Sequence, residues 1–410
     1  MKTTVLFLLA SALPLLAAPL KPVPLKSSIT RVQPMTGIVL WDDSGHQNTN
    51  AIQLEFSYMR YSDVVSQAGV YDWTQVEQKL DAIAKRGHQA IFRFYYVYPG
   101  KQSAVPAYIK ALPDYNETKG KSEGLDTWFP DWTNAELKSF TKEFYTRFAE
   151  RYQTDKRLAF LQTGFGLWAE YHIYDGPLQL GKTFPDKAYQ TEFLTHLGAT
   201  FRQLPWSISV DAADNELTPV AGNDTLLNLR FGVFDDSFLN KNHAKENEPN
   251  WDDLRRSRYK RSPAGGEFSY YNNRDQKQAL APDGPNGVAF EQAAKKFHIS
   301  YMIGNDQPEY QPMKRIKQAG MACGYRFHVT KFLSTKGKSQ VTVKNTGIAP
   351  IYRDAFVAVD GVRSKVSLKH LAPGKSVTVD IARGGKKPVL TIASDHLVSG
   401  QVIQYEADLK

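Results

Sequence analysis

The chain has 410 residues, a net charge of +9, and 42% hydrophobic, 23% charged and 12% aromatic residues. That balance excludes a disordered or fibrous chain, and the length suits a barrel of roughly 250–300 residues with a smaller module beside it. A single cysteine, Cys323, excludes an internal disulfide framework and reads as a small buried apolar side chain.

Residues 1–18 place Lys2 ahead of an apolar run that ends in Ala17-Ala18, the pattern of a secretory signal peptide. The mature protein is therefore expected to be secreted or periplasmic, with no integral membrane association, because no other apolar run approaches membrane length. Residues 19–34 read as a Pro-containing linker. The first strand expected is Thr36–Asp43, ending on Trp41, and Ile52–Asp63 follows with Glu55 and Arg60. A helix runs from Asp72 or Thr74 to a stop at Gly87, and the strand Ala90–Gly100 carries Arg93 and Tyr95. Lys101–Asp131 reads as a long aromatic-bearing loop, a type that is functional or disordered. Thr133-Asn134-Ala135-Glu136 then opens a helix as a capping box.

Leu158–His172 begins as an apolar strand and delivers Trp168, Glu170 and His172 at alternating positions. If the strand continues that far, period-two spacing puts the three on one face. A helix at Tyr189–Arg202 leads to strand Ser207–Asp214, and strand Leu226–Phe238 carries Asp235 and Asp236. Asp211, Asp214 and the Asp235-Asp236 pair read chiefly as turn and cap residues, with Asp235 and Asp236 also as residues that shape a site or form an alternative catalytic pair. The basic run Arg255–Arg261 reads as a solvated helix end. Ala264–Tyr271 brings Glu267 and Tyr270, and the last strand, His298–Asp306, brings Asn305.

Strand and helix alternate about eight times over residues 35–320, with polar residues gathering after the strands. That is the pattern of a (β/α)₈ TIM barrel, whose sites lie at the C-terminal ends of the strands. From residue 321 to 410 short alternating strands replace every helix signal, which indicates an antiparallel β-sandwich. No glycine-rich phosphate loop follows a strand, so no nucleotide cofactor is expected. The nine histidines show no metal-ligand spacing, so no metal is expected. Basic residues are spread along the chain, which argues against nucleic acid.

YMRYSDVVSQAGVYDWTQVEQKLDAIAKRGHQAIFRF, Tyr58 to Phe94, resembles the second-to-third-strand region of clan A retaining glycoside hydrolases. With GLWAEYH, GGEF and the tail MACGYRFHV, the whole chain is similar to a group of secreted bacterial barrel-plus-sandwich proteins with a C-terminal domain of unknown function, number 4832. The resemblance implies a glycosidase-like barrel acting on a polysaccharide or oligosaccharide. It makes Glu170, after the fourth strand, the acid/base and Glu267, after the seventh, the nucleophile. Ala169 stands where the clan carries Asn before the acid/base, and His172 or Trp168 is the substitute at hand. Arg60 and Arg93 would keep Glu267 ionised. Trp41, Tyr95, Trp168, His172, Asp235, Asp236, Tyr270 and Asn305 complete the expected sugar contacts. Two other readings stand beside this one: a glycan-binding barrel without chemistry, and a lyase on an anionic glycan with Tyr95, His172 and Arg93 as its set.

Overall fold

The structure is a computed structural model that describes residues 19–410. The expected signal peptide, residues 1–18, lies outside the described residues. Eight strands form a closed parallel barrel: β1 (Gly37–Trp41), β2 (Leu54–Arg60), β3 (Gln89–Tyr95), β4 (Leu158–Gln162), β5 (Trp206–Ser209), β6 (Phe231–Phe238), β7 (Ala264–Phe268) and β8 (Tyr301–Ile303). β8 pairs with β1 through Tyr301–Gly37 and closes the ring. The strands are buried almost throughout because helices cover one face and the barrel interior the other.

The connections are less regular than an even alternation of strand and helix. No helix separates β1 from β2, and only the 3₁₀ helix Val210–Ala213 and the four-residue helix Asp224–Leu227 lie between β5 and β6. The strand expected from Leu226 starts instead at Phe231, because Asn223 caps that short helix by accepting from Leu226 N. The helix Ala135–Tyr152 is capped by Asn134, whose Oδ1 accepts from Leu137 N at 2.9 Å. The long loop after β3 contains a hairpin, Thr118–Ser122 with Leu125–Phe129. Glu123 and Gly124 turn it with φ of 53° and 73°, the backbone that two-residue hairpin loops demand. Phe129 and Trp132 from this segment are fully buried, so they build core.

Inside the barrel, Arg93 Nε donates to Gln162 Oε1 at 2.8 Å, and Gln162 Nε2 donates to the Tyr301 hydroxyl at 2.7 Å. This row joins β3, β4 and β8 across the interior. Gly265 is what admits Tyr301: a Cβ there would lie 2.3 Å from the ring. Gly266 likewise lets β7 approach β6, since its Cβ would fall 2.1 Å from the Asp235 carbonyl oxygen.

The C-terminal part consists of a six-stranded sheet and a three-stranded sheet. Residues 19–34 are not a linker, which corrects the sequence expectation. Lys21–Pro22 pairs with Phe327–Thr335, and Leu25–Ser27 pairs with Tyr405–Leu409 in the larger sheet. Alternating apolar side chains at Val23 and Leu25 join that sheet's core, which the prolines had masked. The sandwich abuts the barrel on the side of the strand N-termini. Buried Arg353 donates to the carbonyls of Gln153 and Gln203, ahead of β4 and β5, and of Leu158, the first residue of β4, at 2.9–3.0 Å. Gln401 reaches Gln53 before β2.

The basic run departs from a solvated helix end at one residue. Arg258 is buried, lies 3.7 Å over the Phe231 ring and donates to four backbone carbonyls. Cys323 is buried and free. No helix among the described residues is long and apolar enough to cross a membrane.

Candidate active site

A cavity of about 780 Å³ opens at the C-terminal ends of the barrel strands, opposite the sandwich. Six carboxyl residues line it: Glu123, Glu170, Asp211, Asp236, Glu246 and Glu267. Its aromatic wall includes Trp41, Tyr58, Tyr98, Trp168, Tyr174 and Tyr270.

Trp168, Glu170 and His172 do meet here, though not as one face of a strand. β4 ends at Gln162, and the chain then folds back on itself. Gly166 N donates to the Glu170 carbonyl at 2.8 Å and Leu167 N to the His172 carbonyl at 3.1 Å. A Cβ on Gly166 would lie 1.9 Å from the His172 carbonyl oxygen, and one on Gly164 would lie 2.3 Å from that of Ala169. Only glycine permits this crossing. Trp168 and Ala169 form the corner with φ of 53° and 59°, which costs about 1–3 kcal/mol each for side-chain-bearing residues. Trp168 N donates to the Val97 carbonyl and Tyr171 N to Ser209 Oγ, which tie the loop to both neighbouring strands. Ala169, in the place of the expected Asn, is wholly buried beside Tyr95 and Ala104, so it offers no group to a sugar.

Glu170 sits at the centre of the charges. Arg93 Nη1 lies 2.6 Å from its Oε1, and His172 Nε2 lies 2.9 Å from its Oε2. Asp236 Oδ2 is 3.8 Å from the same imidazole nitrogen. Burial and the Asp236 charge push the Glu170 carboxyl well above the usual range, against the pull of His172 and Arg93. Burial opposes ionisation of Asp236 as well, but hydrogen bonds from Glu170 and His172 and the His172 and Arg93 charges hold it well below that range. The pair therefore shares one proton and carries one negative charge. His172 is held cationic: burial lowers its pKa, and Asp211, Asp236 and Glu170 together raise it far more.

Glu267 stands apart from this cluster. It is 9% exposed, and its Oε1 has no hydrogen-bond partner in the protein. Burial pushes its pKa up to about 8, with the Arg93 charge as the main opposing influence. The expectation that Arg93 keeps Glu267 ionised is thus corrected, since burial outweighs the cation.

The structure separates the other expected residues. Trp41 and Tyr270 line the cavity, and the Tyr270 hydroxyl donates to Asp306 Oδ1 at 3.1 Å. Asn305 works from behind, accepting from Trp41 N at 3.1 Å. Arg60 does not take part: its side chain is 55% exposed and pairs at 2.7 Å with Asp63 in the short helix that follows β2. Tyr95 is buried against Tyr58 and Tyr98 rather than lining the cavity. Asp235 points the other way from Asp236 and accepts from Ser237 N, Asn247 Nδ2 and Trp251 Nε1, so it braces the helix His243–Asp253. Of the residues expected for a lyase, Tyr95 is withdrawn from the cavity and His172 lines it.

Asp211 was read from sequence as a turn residue, yet it lines the cavity with an unpartnered Oδ2. Glu170, His172, Asp211 and Asp236 offer ligand atoms within 4.8 Å of one another, a spacing a divalent cation would also accept. Here the Arg93 guanidinium and the His172 imidazolium already supply the positive charge. Glu123 and Tyr174 escaped the sequence reading because they sit on a hairpin tip and a distant loop; Glu123 Oε1 accepts from the Tyr174 hydroxyl at 2.5 Å.

Fold and site together define a (β/α)₈ barrel with a carboxyl-rich, aromatic-walled pocket at its C-terminal end. No family model matches the chain, and no curated protein matches it by sequence. Among solved structures it is similar to a glycoside hydrolase family 30 subfamily 8 xylanase from Clostridium acetobutylicum, with 10% identity, TM-score 0.38, and coverage of 88% of this chain and 97% of that one. It is similar also to the catalytic domain of a β-amylase from Paenibacillus polymyxa, with 11% identity, TM-score 0.42, and coverage of 71% and 99%. Xylanase 10B from Thermotoga maritima shows 8% identity, TM-score 0.41, and coverage of 67% and 85%.

Proposed function

We propose that the chain hydrolyses O-glycosidic bonds of a polysaccharide or oligosaccharide after export from the cytoplasm. The observation that carries this reading is the contrast between two carboxyl systems in one cavity. Glu267 lines the pocket with a buried, unpartnered oxygen and a pKa that burial pushes up to about 8, while hydrogen bonds and cations hold Asp236, beside Glu170, well below the carboxylate range. Glycoside hydrolysis needs one carboxyl group of each kind flanking the bond.

Glu267 gives its proton to the leaving oxygen as the glycosidic bond breaks. The charged pair stabilises the positive charge that grows at the anomeric carbon. In the retaining course that the resemblance implies, a carboxylate oxygen of the pair bonds to that carbon, and water, deprotonated by Glu267, later displaces it. This exchanges the roles that strand position alone assigned to Glu170 and Glu267. The aromatic wall supplies the flat apolar faces on which pyranose rings stack.

The test is hydrolysis by the purified protein of a panel of natural glycans, with E267Q and D236N alongside. Each variant is expected to lose at least 10³-fold in kcat while its thermal transition persists. Full activity in either variant refutes the assignment, and an absence of product from every glycan refutes the reaction. Proton NMR of the first-formed anomer reads the stereochemistry.

A further inference from the structure

The cavity's charge is opposite in sign to the chain's. The protein carries +9 overall, yet six carboxyl residues line the pocket with no lysine or arginine, and the cationic side chain among them is His172, which pairs with Glu170. Of these six, Glu170 alone is paired with an arginine or lysine among the described residues, and that partner, Arg93, is buried behind it. Elsewhere the protein pairs its acids readily, as at Glu77 with Arg151 and Arg157 or Glu291 with Arg315. Inside the pocket Glu267 is nine-tenths buried with an unpartnered oxygen, and Asp211 also has an unpartnered oxygen.

Aromatic faces stand among these carboxyls. Trp168 and Tyr174 are stacked at 6.1 Å, and Tyr58 and Tyr98 meet edge to face at 5.9 Å. Carboxylates interleaved with aromatic faces are how proteins hold ammonium groups, through charged hydrogen bonds on one side and ring quadrupoles on the other. A uronic-acid or sulfated glycan would instead bring more negative charge into a pocket already crowded with it.

We infer that the glycan this pocket accepts is cationic, a polymer or oligomer of hexosamine whose amino groups are free rather than acetylated. The inference rests on the glycosidase reading and specifies its substrate class. The rim carboxylates of Glu123 and Glu246, which have no cationic partner among the described residues, meet the amines of the sugars. A bound ammonium also lowers the cost of ionising the neighbouring carboxyls, so binding releases protons to the buffer.

The experiment is calorimetric titration of the full chain at pH 6 with glucosamine and galactosamine hexamers, each fully deacetylated or fully N-acetylated, and with oligogalacturonate. A deacetylated hexamer is expected to bind at least tenfold tighter than its acetylated counterpart. That advantage should shrink as salt rises from 50 to 500 mM, because it is coulombic. E246Q should shrink it too, and the observed heat should vary with buffer ionisation enthalpy. Equal or tighter binding of acetylated or anionic oligomers overturns the inference and leaves the glycosidase reading intact, since a neutral glycan could still be cleaved. Failure of all of these oligosaccharides to bind also overturns the inference, and the glycosidase reading is then decided separately by the panel of natural glycans.

Discussion

Arg93 Nη1 and Glu170 Oε1 stand 2.6 Å apart with side chains only 1% and 2% exposed. The same guanidinium lies 4.3 Å over the Phe234 ring and reaches the Tyr58 hydroxyl and the Trp168 carbonyl at 3.2 Å. One side chain thus fixes the carboxyl, an aromatic of the pocket wall and the strained corner of the loop. Arg93→Met leaves Glu170 buried beside Asp236 without its cation, and a loss of roughly 3–5 kcal/mol is expected in chemical denaturation. Arg93→Lys keeps the charge but not the fork that also holds Gln162, so it should recover part of the stability and little of the activity.

Glu267 makes the fold pH-sensitive in a direction that can be stated. Its pKa rises from the ordinary 4.5 to about 8 on folding. Below the lower value both states are protonated and the residue contributes nothing. Between the two values the unfolded chain alone releases its proton, so stability falls as pH rises, by a ceiling of roughly 5 kcal/mol once above pH 8. Glu267→Gln should abolish that loss and raise the melting temperature at pH 8 while leaving it little changed at pH 4. In the active protein, kcat/KM should decline above about pH 8 as the proton donor ionises.

The glycines of the loop after β4 and of β7 can be ranked by what a methyl group meets. Gly166→Ala drives a carbon to within 1.9 Å of the His172 carbonyl oxygen, and Gly265→Ala drives one into the Tyr301 ring. Each should cost at least 1–3 kcal/mol, with Gly166→Ala also displacing Glu170 and removing activity. Gly385 has nothing within 4 Å of its added carbon, so Gly385→Ala serves as the neutral comparison in the same thermal-shift series.

Arg353 tests whether the barrel depends on the sandwich. It donates three hydrogen bonds to barrel carbonyls, and burial pulls its pKa down to about 10. Arg353→Met leaves those carbonyls unpaired, at about 1–3 kcal/mol for each one that water does not reach. Calorimetry should show a lower transition, separating into two if the modules then unfold apart.

The barrel was legible in the sequence because buried parallel strands and amphipathic helices announce themselves by period. The identity of the carboxyls was legible too, since Glu170 and Glu267 follow strands at the expected places. Their surroundings were not. Period-two reasoning brought Trp168, Glu170 and His172 together by an extended strand, whereas the chain achieves it with two successive left-handed residues that nothing local demands. Arg60 and Tyr95 lie away from the cavity because Asp63 holds the first at the surface and Tyr58 and Tyr98 pack over the second, neither of which the strand pattern reveals. Asp235 and Asp236 could not be told apart until the helix His243–Asp253 claimed the first. Electrostatic roles were the least readable, because the pKa of Glu267 depends on its burial and on side chains as far off in sequence as Trp41 and Arg93.

The pairing of Leu25–Ser27 with Tyr405–Leu409, and of Thr30 N with Gln404 Oε1 across 374 positions, bears on the order in which the molecule can form. The early strand is made before the barrel and its neighbour after it, so their pairing waits until all eight barrel strands have been synthesised. The barrel must therefore take shape above a platform that is still incomplete, until Tyr405–Leu409 supplies the missing neighbour.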